Sequence, residues 1–542
     1  MLSVKSKHSF FNYTARYCVL LLFNATIILA VLSYDRIIND GQILAKWVGS
    51  SIAFFSLILI ASVVGFDKCK DMQASDIIKI ATPFLIIGLV VLIYSFLQLT
   101  GFIKNNSSVD YKVLAGFDNP AGIASAITVS LPFTLAFLER LNNTHTLRYL
   151  ALGGIISVVM IILVSARSRV GILASGTVIL LYYHHTIKDI KTRKIIAILL
   201  SLLLLTVIVY MSFYKRGSNS GRVLILGVCW DMFKDAPLLG HGLHGFRSQY
   251  MLYQANYLDR CTSDVLPMLA DNATHPLNEY VLLAVNFGLI GISVLLLGVV
   301  VITIHYFKHQ SDESFVGIIT IVGISILSMF SYPFRYPLTV IGLLCALLLV
   351  YKDMFLETSH TTMIVIRSIT ATMSALGLFL IITWANDQIQ WGKLSFVSDN
   401  GYDKKVLIQG YNNIYPKLKK DPYFLYNYAY ILSENGECEK AGNMATKSFN
   451  LMANYDTALL IADIAKEWGD VEVAEEYYRL ASRMCPVRFM PLYGLFRLYN
   501  DNGRVEEMKD MGQLILSKPI KVYSNEVRMI RTEVRQTIAY GL

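Results

Sequence analysis

The sequence predicts an all-α protein in two parts: a polytopic membrane helix bundle over residues 1–383 and a soluble array of α-helical repeats over 384–542. Three observations lead there. The 542-residue chain is 54% hydrophobic and only 16% charged, with a mean hydropathy of +0.49, far from the composition of an ordinary soluble protein. Apolar runs close to the roughly 20 residues needed to cross a bilayer recur from residue 17 to residue 383 and then stop. Beyond Trp384 the sequence turns polar and helical, and turn glycines recur in it at a fixed period.

By length, about eleven segments span: 17–33, 47–65, 77–99, 120–138, 149–165, 170–187, 195–213, 276–306, 314–332, 337–351 and 362–383. The eighth is long and the tenth short. Lys5, Lys7 and Arg16 precede the first segment, and Lys68, Lys70, Arg140, Arg148, Lys188, Lys191, Arg193 and Lys194 fall in alternate loops, which marks that side as cytoplasmic. The N-terminus is then inside. With an odd number of spans the tail lies outside, in the periplasm of a bacterial inner membrane. Segment one shows no small-residue cleavage site and reads as an uncleaved anchor.

The formal charge of +9 does not point to nucleic acid. Residues 384–542 hold about as many Lys and Arg as Asp and Glu, so the excess sits in the membrane half, where topology explains it. The seven cysteines form no C-x-x-C pair and no zinc spacing. Cys229 with Cys261, and Cys438 with Cys485, share expected outer segments where disulfides are permitted.

In the tail, "LSENGECEKAGNMATKSF", "AKEWGDVEVAEEYYRLAS" and "LYNDNGRVEEMKDMGQLI" align on Gly436, Gly469 and Gly503, with Ala441 matching Ala474 and with Pro486 and Pro519 closing two units. The spacing resembles tetratricopeptide repeats. Such helix pairs stack into a superhelix with a concave surface, expected either to dock another protein or to serve as an inert scaffold on the membrane domain. Tyr423, Tyr426, Tyr428 and Tyr430 are expected to pack helices rather than hold a ligand.

Of the ten histidines, this topology puts His241, His244 and His275 on or near the outer face. Serine-nucleophile elbows, H-E-x-x-H, Walker and dinucleotide motifs are absent from the sequence, and nothing in it calls for a metal, nucleotide or redox cofactor. The longest outer loop, 214–275, contains "SGRVLILGVCWDMFKDAPLLGHGLHGFRSQY". Val223, Leu226, Trp230 and Phe233 recur at helical spacing from Arg222, and Asp235, Pro237, Gly240, Gly242 and Gly245 then make a glycine-rich turn. That predicts an amphipathic helix lying on the outer leaflet. Arg222 opens it, where a cation does nothing favourable for the helix dipole and needs another reason, such as an anionic partner.

Arg167 and Arg169, in "LVSARSRVGILASG", stand between two apolar runs on the outer side, where topology does not favour positive charge. Snorkelling on a plain loop is one account. The other is anion binding: guanidinium groups match phosphate oxygens bidentately and keep their charge, which suits a lipid-linked phosphate or pyrophosphate. In "DNATHPLNEYVLLAVNFGLIG", residues 271–291, Asp271, His275, Asn278 and Glu279 crowd the start of an apolar run. Histidine ordinarily titrates near neutral pH, which makes His275 a candidate general base for an acceptor hydroxyl, oriented by Asp271 or Glu279. A plainer alternative makes "T-H-P" a capping turn, with Asn278 and Glu279 hydrating a helix start.

Four stretches in order, "GFDNPAGIASAITVSLPF" (116–133), "SARSRVGILAS" (165–175), "GRVLILGVCWDMFKDAPLLGHGLHGF" (221–246) and "THPLNEYVLLAVNFGLIG" (274–291), resemble the superfamily of O-antigen ligases, O-antigen polymerases and bacterial protein O-oligosaccharyltransferases. With the polytopic frame the likeness covers most of residues 1–383. It implies transfer of a glycan from undecaprenyl pyrophosphate to a hydroxyl on the periplasmic side, without metal or nucleotide. Arg169 falls on the arginine of an S-R-G-like stretch, Arg222 on the arginine that opens the loop helix, and His275 on the first histidine of an H-x-H-N-like motif. Leu277 stands where many relatives carry a second histidine, and Arg167 is an additional cation. "SYPFRYPL" (331–338) is similar to an outer-loop motif of the protein-modifying branch, with Arg335 a candidate phosphate or acceptor contact.

The resemblance thus implies inverting glycosyl transfer, with arginines neutralising the departing pyrophosphate while His275 deprotonates the acceptor. The lipid A core is the first acceptor, with a protein serine or threonine or a growing glycan as alternatives. A transporter would instead show charges in the middle of its spans and internal symmetry. A scaffold recruiting partners through the repeats would tolerate loss of His275, Arg169 and Arg222.

Overall fold

The computed structural model describes residues 18–540 apart from 39, 65–73, 105–110, 141–144, 188, 192, 196–197, 199–200, 203–204, 207–208, 210–215, 262–264, 357–358 and 399–403. The seventh expected span, 195–213, falls largely outside the described residues, as do Lys5, Lys7, Arg16, Lys68, Lys70 and Lys188 of the orientation argument. Among the described residues all regular structure is helical.

In chain order the first helices are α1 Cys18–Leu32, α2 Leu44–Val64, α3 Ala74–Leu99, α4 Pro120–Arg140, α5 His145–Ser165 and α6 Arg169–Thr186. The long loop holds α7 Arg216–Asp235 and α8 Gly245–Asp259, followed by α9 Glu279–Lys308, α10 Asp312–Phe330, α11 Pro337–Val350 and α12 His360–Ser398. The tail comprises α13 Lys404–Leu418, α14 Pro422–Glu434, α15 Cys438–Leu451, α16 Tyr455–Trp468, α17 Val471–Met484, α18 Met490–Asp501, α19 Val505–Ser517 and α20 Asn525–Tyr540.

Six of these, α2, α3, α4, α9, α10 and α12, are long and apolar enough to cross a membrane, and α1, α11 and the Leu150–Ser165 part of α5 are shorter apolar helices. The protein is a helical membrane protein. The sixth expected span is α6, which belongs to neither group: Arg169 opens it and Tyr182, Tyr183, His184 and His185 end it, so its apolar stretch is short.

The chain divides into two compact units, one of residues 1–214 and 296–389, the other of 215–295 and 390–542. In the first, α4 is the central helix. Its residues from Gly122 to Ala136 are all buried, with α3, α6, α10 and α11 packed around it. The small side chains of "PAGIASAITVS" allow that close approach. Phe84 stacks on Phe133 at 4.1 Å, and the Thr128 and Ser175 hydroxyls pair at 2.9 Å.

In the second unit the tail helices form successive antiparallel pairs, α14 with α15, α16 with α17, and α18 with α19, each pair packing on the next. The turn inside each pair repeats atom for atom. Gly436, Gly469 and Gly503 take left-handed φ angles. The amide after each donates back to a carbonyl of the first helix: Glu437 to Leu432, Asp470 to Ala465, Arg504 to Tyr499. This is the Schellman helix stop, which glycine enters without the Cβ penalty. Five residues beyond, Ala441 and Ala474 are wholly buried, and Met508 takes that place in the third pair.

Tyr428 is buried and stacks on Tyr411 at 5.3 Å, whereas Tyr423 and Tyr430 are exposed, and Tyr423 lies under the Arg247 guanidinium at 5.0 Å. Cys229, Cys261, Cys438 and Cys485 are free thiols. The tail does not stand alone. One continuous core joins Leu224, Val228 and Met232 of α7 and Phe246, Tyr250, Met251 and Leu258 of α8 to Tyr455, Ile461, Ala481 and Met484 of the repeats.

Candidate functional site

His275 lies in an irregular strand just before α9, with its ring about one-fifth exposed. The Leu277 amide donates to Nδ1 at 2.9 Å, so the neutral ring carries its proton on Nε2. That atom stands 3.5 Å from the Glu279 carboxylate. Of the two carboxylates expected to orient the histidine, Glu279 is beside it. Asp271 is engaged elsewhere, by Arg488 at 3.0 Å. Burial would raise the Asp271 carboxyl, but Arg488, the Asn272 amide and Lys521 hold it below the usual range.

The helix-capping half of the sequence reading is also present. Asn278 Oδ1 accepts from the amides of Tyr280 and Val281 at 2.9 and 3.0 Å, an N-cap for α9. Leu277, between His275 and Asn278, has a φ of +57°, a left-handed conformation that a side chain with a Cβ adopts at a cost of about 1–2 kcal/mol. Such strain persists where surrounding contacts over-determine it. Here the contacts are the Asn278 cap on one side and the His275 ring on the other.

Nine residues into α9, Gly288 breaks the helix with φ +59° and ψ −151°. The glycine-rich turn after α7 fills the break. His241 and Gly242 amides donate to the Val285 and Asn286 carbonyls, both at 2.9 Å, while the Leu289 and Ile290 amides donate to the Pro237 and Leu238 carbonyls at 2.8 and 3.3 Å. Asn286, 7% exposed, accepts from the Phe246 amide and donates to the Leu243 carbonyl, each at 3.0 Å. The strand with His275 therefore leads into a helix start that is locked to the long loop.

Helix α7 begins at Arg216, before the expected Arg222. It is apolar on two faces. Leu224, Val228 and Met232 enter the core, whereas the expected stripe of Val223, Leu226 and Trp230 is exposed. Arg222, half-buried, sits one turn inside the helix rather than at its start. His241 is structural, donating from Nε2 to the Met232 carbonyl at 2.7 Å, and His244 is exposed at the α8 N-cap without a capping bond.

In the other unit, α5 and α6 meet in a turn built like the repeat stops, with Arg167 where glycine would be usual. Its amide and that of Ser168 donate to Val164 and Leu163 at 2.9 and 3.0 Å, and its φ is +55°. Arg169 is the first residue of α6, capped by Ser168, whose hydroxyl accepts from the Gly171 amide. The Arg167 side chain is exposed and that of Arg169 half-buried. If Arg167 serves a ligand, Arg167→Gly should relieve the strain, raising stability in detergent by about 1 kcal/mol, yet weaken binding of a pyrophosphate lipid. A thermal melt and a binding titration on one preparation check both.

Arg335 ends a short 3₁₀ turn, Pro333–Arg335, and already faces two carboxylates, Asp40 at 3.2 Å and Asp118 at 3.5 Å. Tyr336 donates to Asp118 at 2.8 Å, Asn119 pairs with Tyr332, and the Trp47 indole donates to the Arg335 carbonyl at 2.9 Å. Burial raises the Asp40 carboxyl above its usual range against the pull of Arg335. Sequence reasoning did not single out Asp40, Asp118, Tyr332 or Tyr336. Asp118 and Asn119 lay in view in "GFDNPAG", between a strained Ala115 at φ +47° and a helix-starting proline.

Residues 152–296, from the body of α5 through the break in α9, match the family described as O-antigen ligase. Over that stretch the chain is similar to the O-antigen ligase family. Arg167, Arg169, Arg222, Asp271, His275, Asn278 and Glu279 all fall inside the matched stretch, and Arg335 lies outside it. So do the repeat helices, which share a core with the long loop of the matched stretch. No curated protein matches the chain.

Proposed function

We propose that the protein transfers a glycan from undecaprenyl pyrophosphate to an acceptor hydroxyl, that of the lipid A core, on the periplasmic face of a bacterial inner membrane. The observation that carries this reading is the ligase-domain match over 152–296, within which the paired His275 and Glu279 stand at the mouth of a membrane helix. In the reaction the acceptor oxygen attacks the anomeric carbon as the bond from that carbon to the pyrophosphate oxygen breaks. The acceptor proton passes to the His275–Glu279 pair, and the pyrophosphate departs with the bonding electrons. Because the Leu277 amide occupies Nδ1, the ring and the carboxylate act as one proton-accepting unit.

Arg169 and Arg222, with Arg167, are assigned to the charge that builds on the leaving group; arginine keeps its charge at any working pH. No step calls for a metal or a nucleotide. In the same reading the bundle crosses the membrane about eleven times, with the N-terminus inside and the tetratricopeptide-like tail in the periplasm. A second reading, transfer to a serine or threonine of a protein, is favoured by the repeat tail. Chain extension as a polymerase is the third.

The test is a glycan blot of cells lacking the gene, complemented with wild type or His275→Ala at matched membrane levels. Loss of a lipid-anchored band with accumulation of lipid-linked donor supports the ligase; loss of a protein-anchored band moves the acceptor to protein. Full restoration by the variant would leave His275 a helix-entry residue and make the scaffold the better account.

A further inference from the structure

We propose that the repeat tail positions the strand bearing His275, with Gln254, Arg488 and Asp456 as positioning residues for the transfer reaction; this rests on the role given to His275 above. Residues 270–278 form no regular helix or strand, so their backbone groups must find partners one by one. At the upstream end those partners come from α8 and the second repeat pair. Gln254, 1% exposed, donates from Nε2 to the Asp271 carbonyl at 3.1 Å and to the Met484 carbonyl at 2.7 Å. Its Oε1 accepts from the Tyr250 hydroxyl at 2.9 Å. Met484 ends α17, where carbonyls lack helical donors. One amide thus rivets the loop helix, the histidine strand and the repeats together.

Two further contacts hold Asp271 and its neighbour Asn272. Asp271 accepts from Arg488 at 3.0 Å, and Asn272 donates to Asp456 at 2.9 Å. Only Ala273 and Thr274 then separate Asn272 from His275. Downstream the strand is pinned again by the Asn278 cap. His275 therefore sits on a short tether between two fixed ends, and the upstream end is set by the tail.

Exposure separates positioning from bulk stability. The Arg488 and Asp271 side chains are 53% and 58% exposed, and such ion pairs contribute little to folding. Their geometric effect is larger, because a displacement of about 1 Å in a reacting group can cost roughly a hundredfold in rate. The face of α16 and α17 used in these contacts is covered by the chain's own loop, which makes this part of the tail an internal gauge rather than a docking surface for another protein.

The experiment uses the full-length protein in liposomes with a lipid-linked glycan donor and a hydroxyl acceptor, comparing wild type, His275→Ala, Arg488→Ala, Arg488→Lys and Asn272→Ala. With transfer by wild type and none by His275→Ala, the expected result is a kcat roughly ten- to a hundredfold lower for Arg488→Ala and Asn272→Ala. The donor KM should be unchanged and Arg488→Lys should recover most of the rate, since the contact is single-pronged. Wild-type kcat in both alanine variants, or a change confined to KM, would overturn the positioning role alone. Hydrogen exchange read on the same preparations is independent of activity: Arg488→Ala should speed exchange in 270–278 and leave α18 and α19 unaffected. Unchanged exchange there overturns the proposal even if wild type transfers nothing, an outcome that by itself would count against the glycosyl-transfer reading.

Discussion

Replacing His275 by alanine should lower the transfer rate by about 10²- to 10⁴-fold, the usual contribution of a positioned acid–base group, with the protein still present in the membrane in wild-type amount. The two effects separate because of what the ring does locally. Nδ1 accepts a hydrogen bond from the Leu277 amide, and losing that partner costs about 1 kcal/mol. The Asn278 cap and the bonds around Gly288 remain to hold the helix entry. Glu279→Gln should lower the rate comparably, since the carboxylate beside Nε2 supplies the acceptor capacity that the ring lacks while Nδ1 is occupied. The double variant should be little worse than either single one, as expected for groups acting as a unit. Initial rates in liposomes at saturating donor decide the matter; additive losses would separate the two residues into independent roles.

Gly288→Ala should deplete the protein itself. A Cβ at this position would lie 2.5 Å from the Leu238 carbonyl carbon and oxygen, backbone atoms that no rotamer change can clear. Restoring a regular helix there would also abolish the four main-chain bonds to Pro237, Leu238, His241 and Gly242. At about 1 kcal/mol each, before strain, that loss is a large share of a typical stability of roughly 5–15 kcal/mol. Gly298→Ala is the matched control: same helix, and no atom within 4 Å of the added Cβ. Steady-state membrane levels should fall for the first and hold for the second; equal levels would mean that the turn and the helix part without penalty.

Much of this was legible in the sequence because it depends on local rules. Apolar length marks α2, α3, α4, α9, α10 and α12, and a glycine in each repeat marks a stop whose bonds are identical three times over. The Asn278 cap and the proximity of His275 to Glu279 follow from spacing in one short stretch. What could not be read depends on distant partners. Gln254 looks like any polar residue on a loop helix, yet it is buried because α17 ends beside it. The apolar stripe of α7 was found, but on the exposed face, since the helix has a second one turned to the core. Arg335 looked available to a phosphate until the fold placed Asp40 and Asp118 against it.

The core that α7 and α8 share with the repeats carries a rule of parity. Two segments that bury the same side chains must lie on one side of the bilayer, so the chain between Asn278 and Lys404 crosses it an even number of times. That stretch contains α9, α10 and α12, each long enough to span, and α11, which is 14 residues long and covers only about 21 Å at the usual helical rise. Three crossings would strand the tail away from its own loop. In the proposed reading of eleven spans the short helix is the crossing that keeps the count even, and the bilayer around it is expected to thin or dimple to meet its ends.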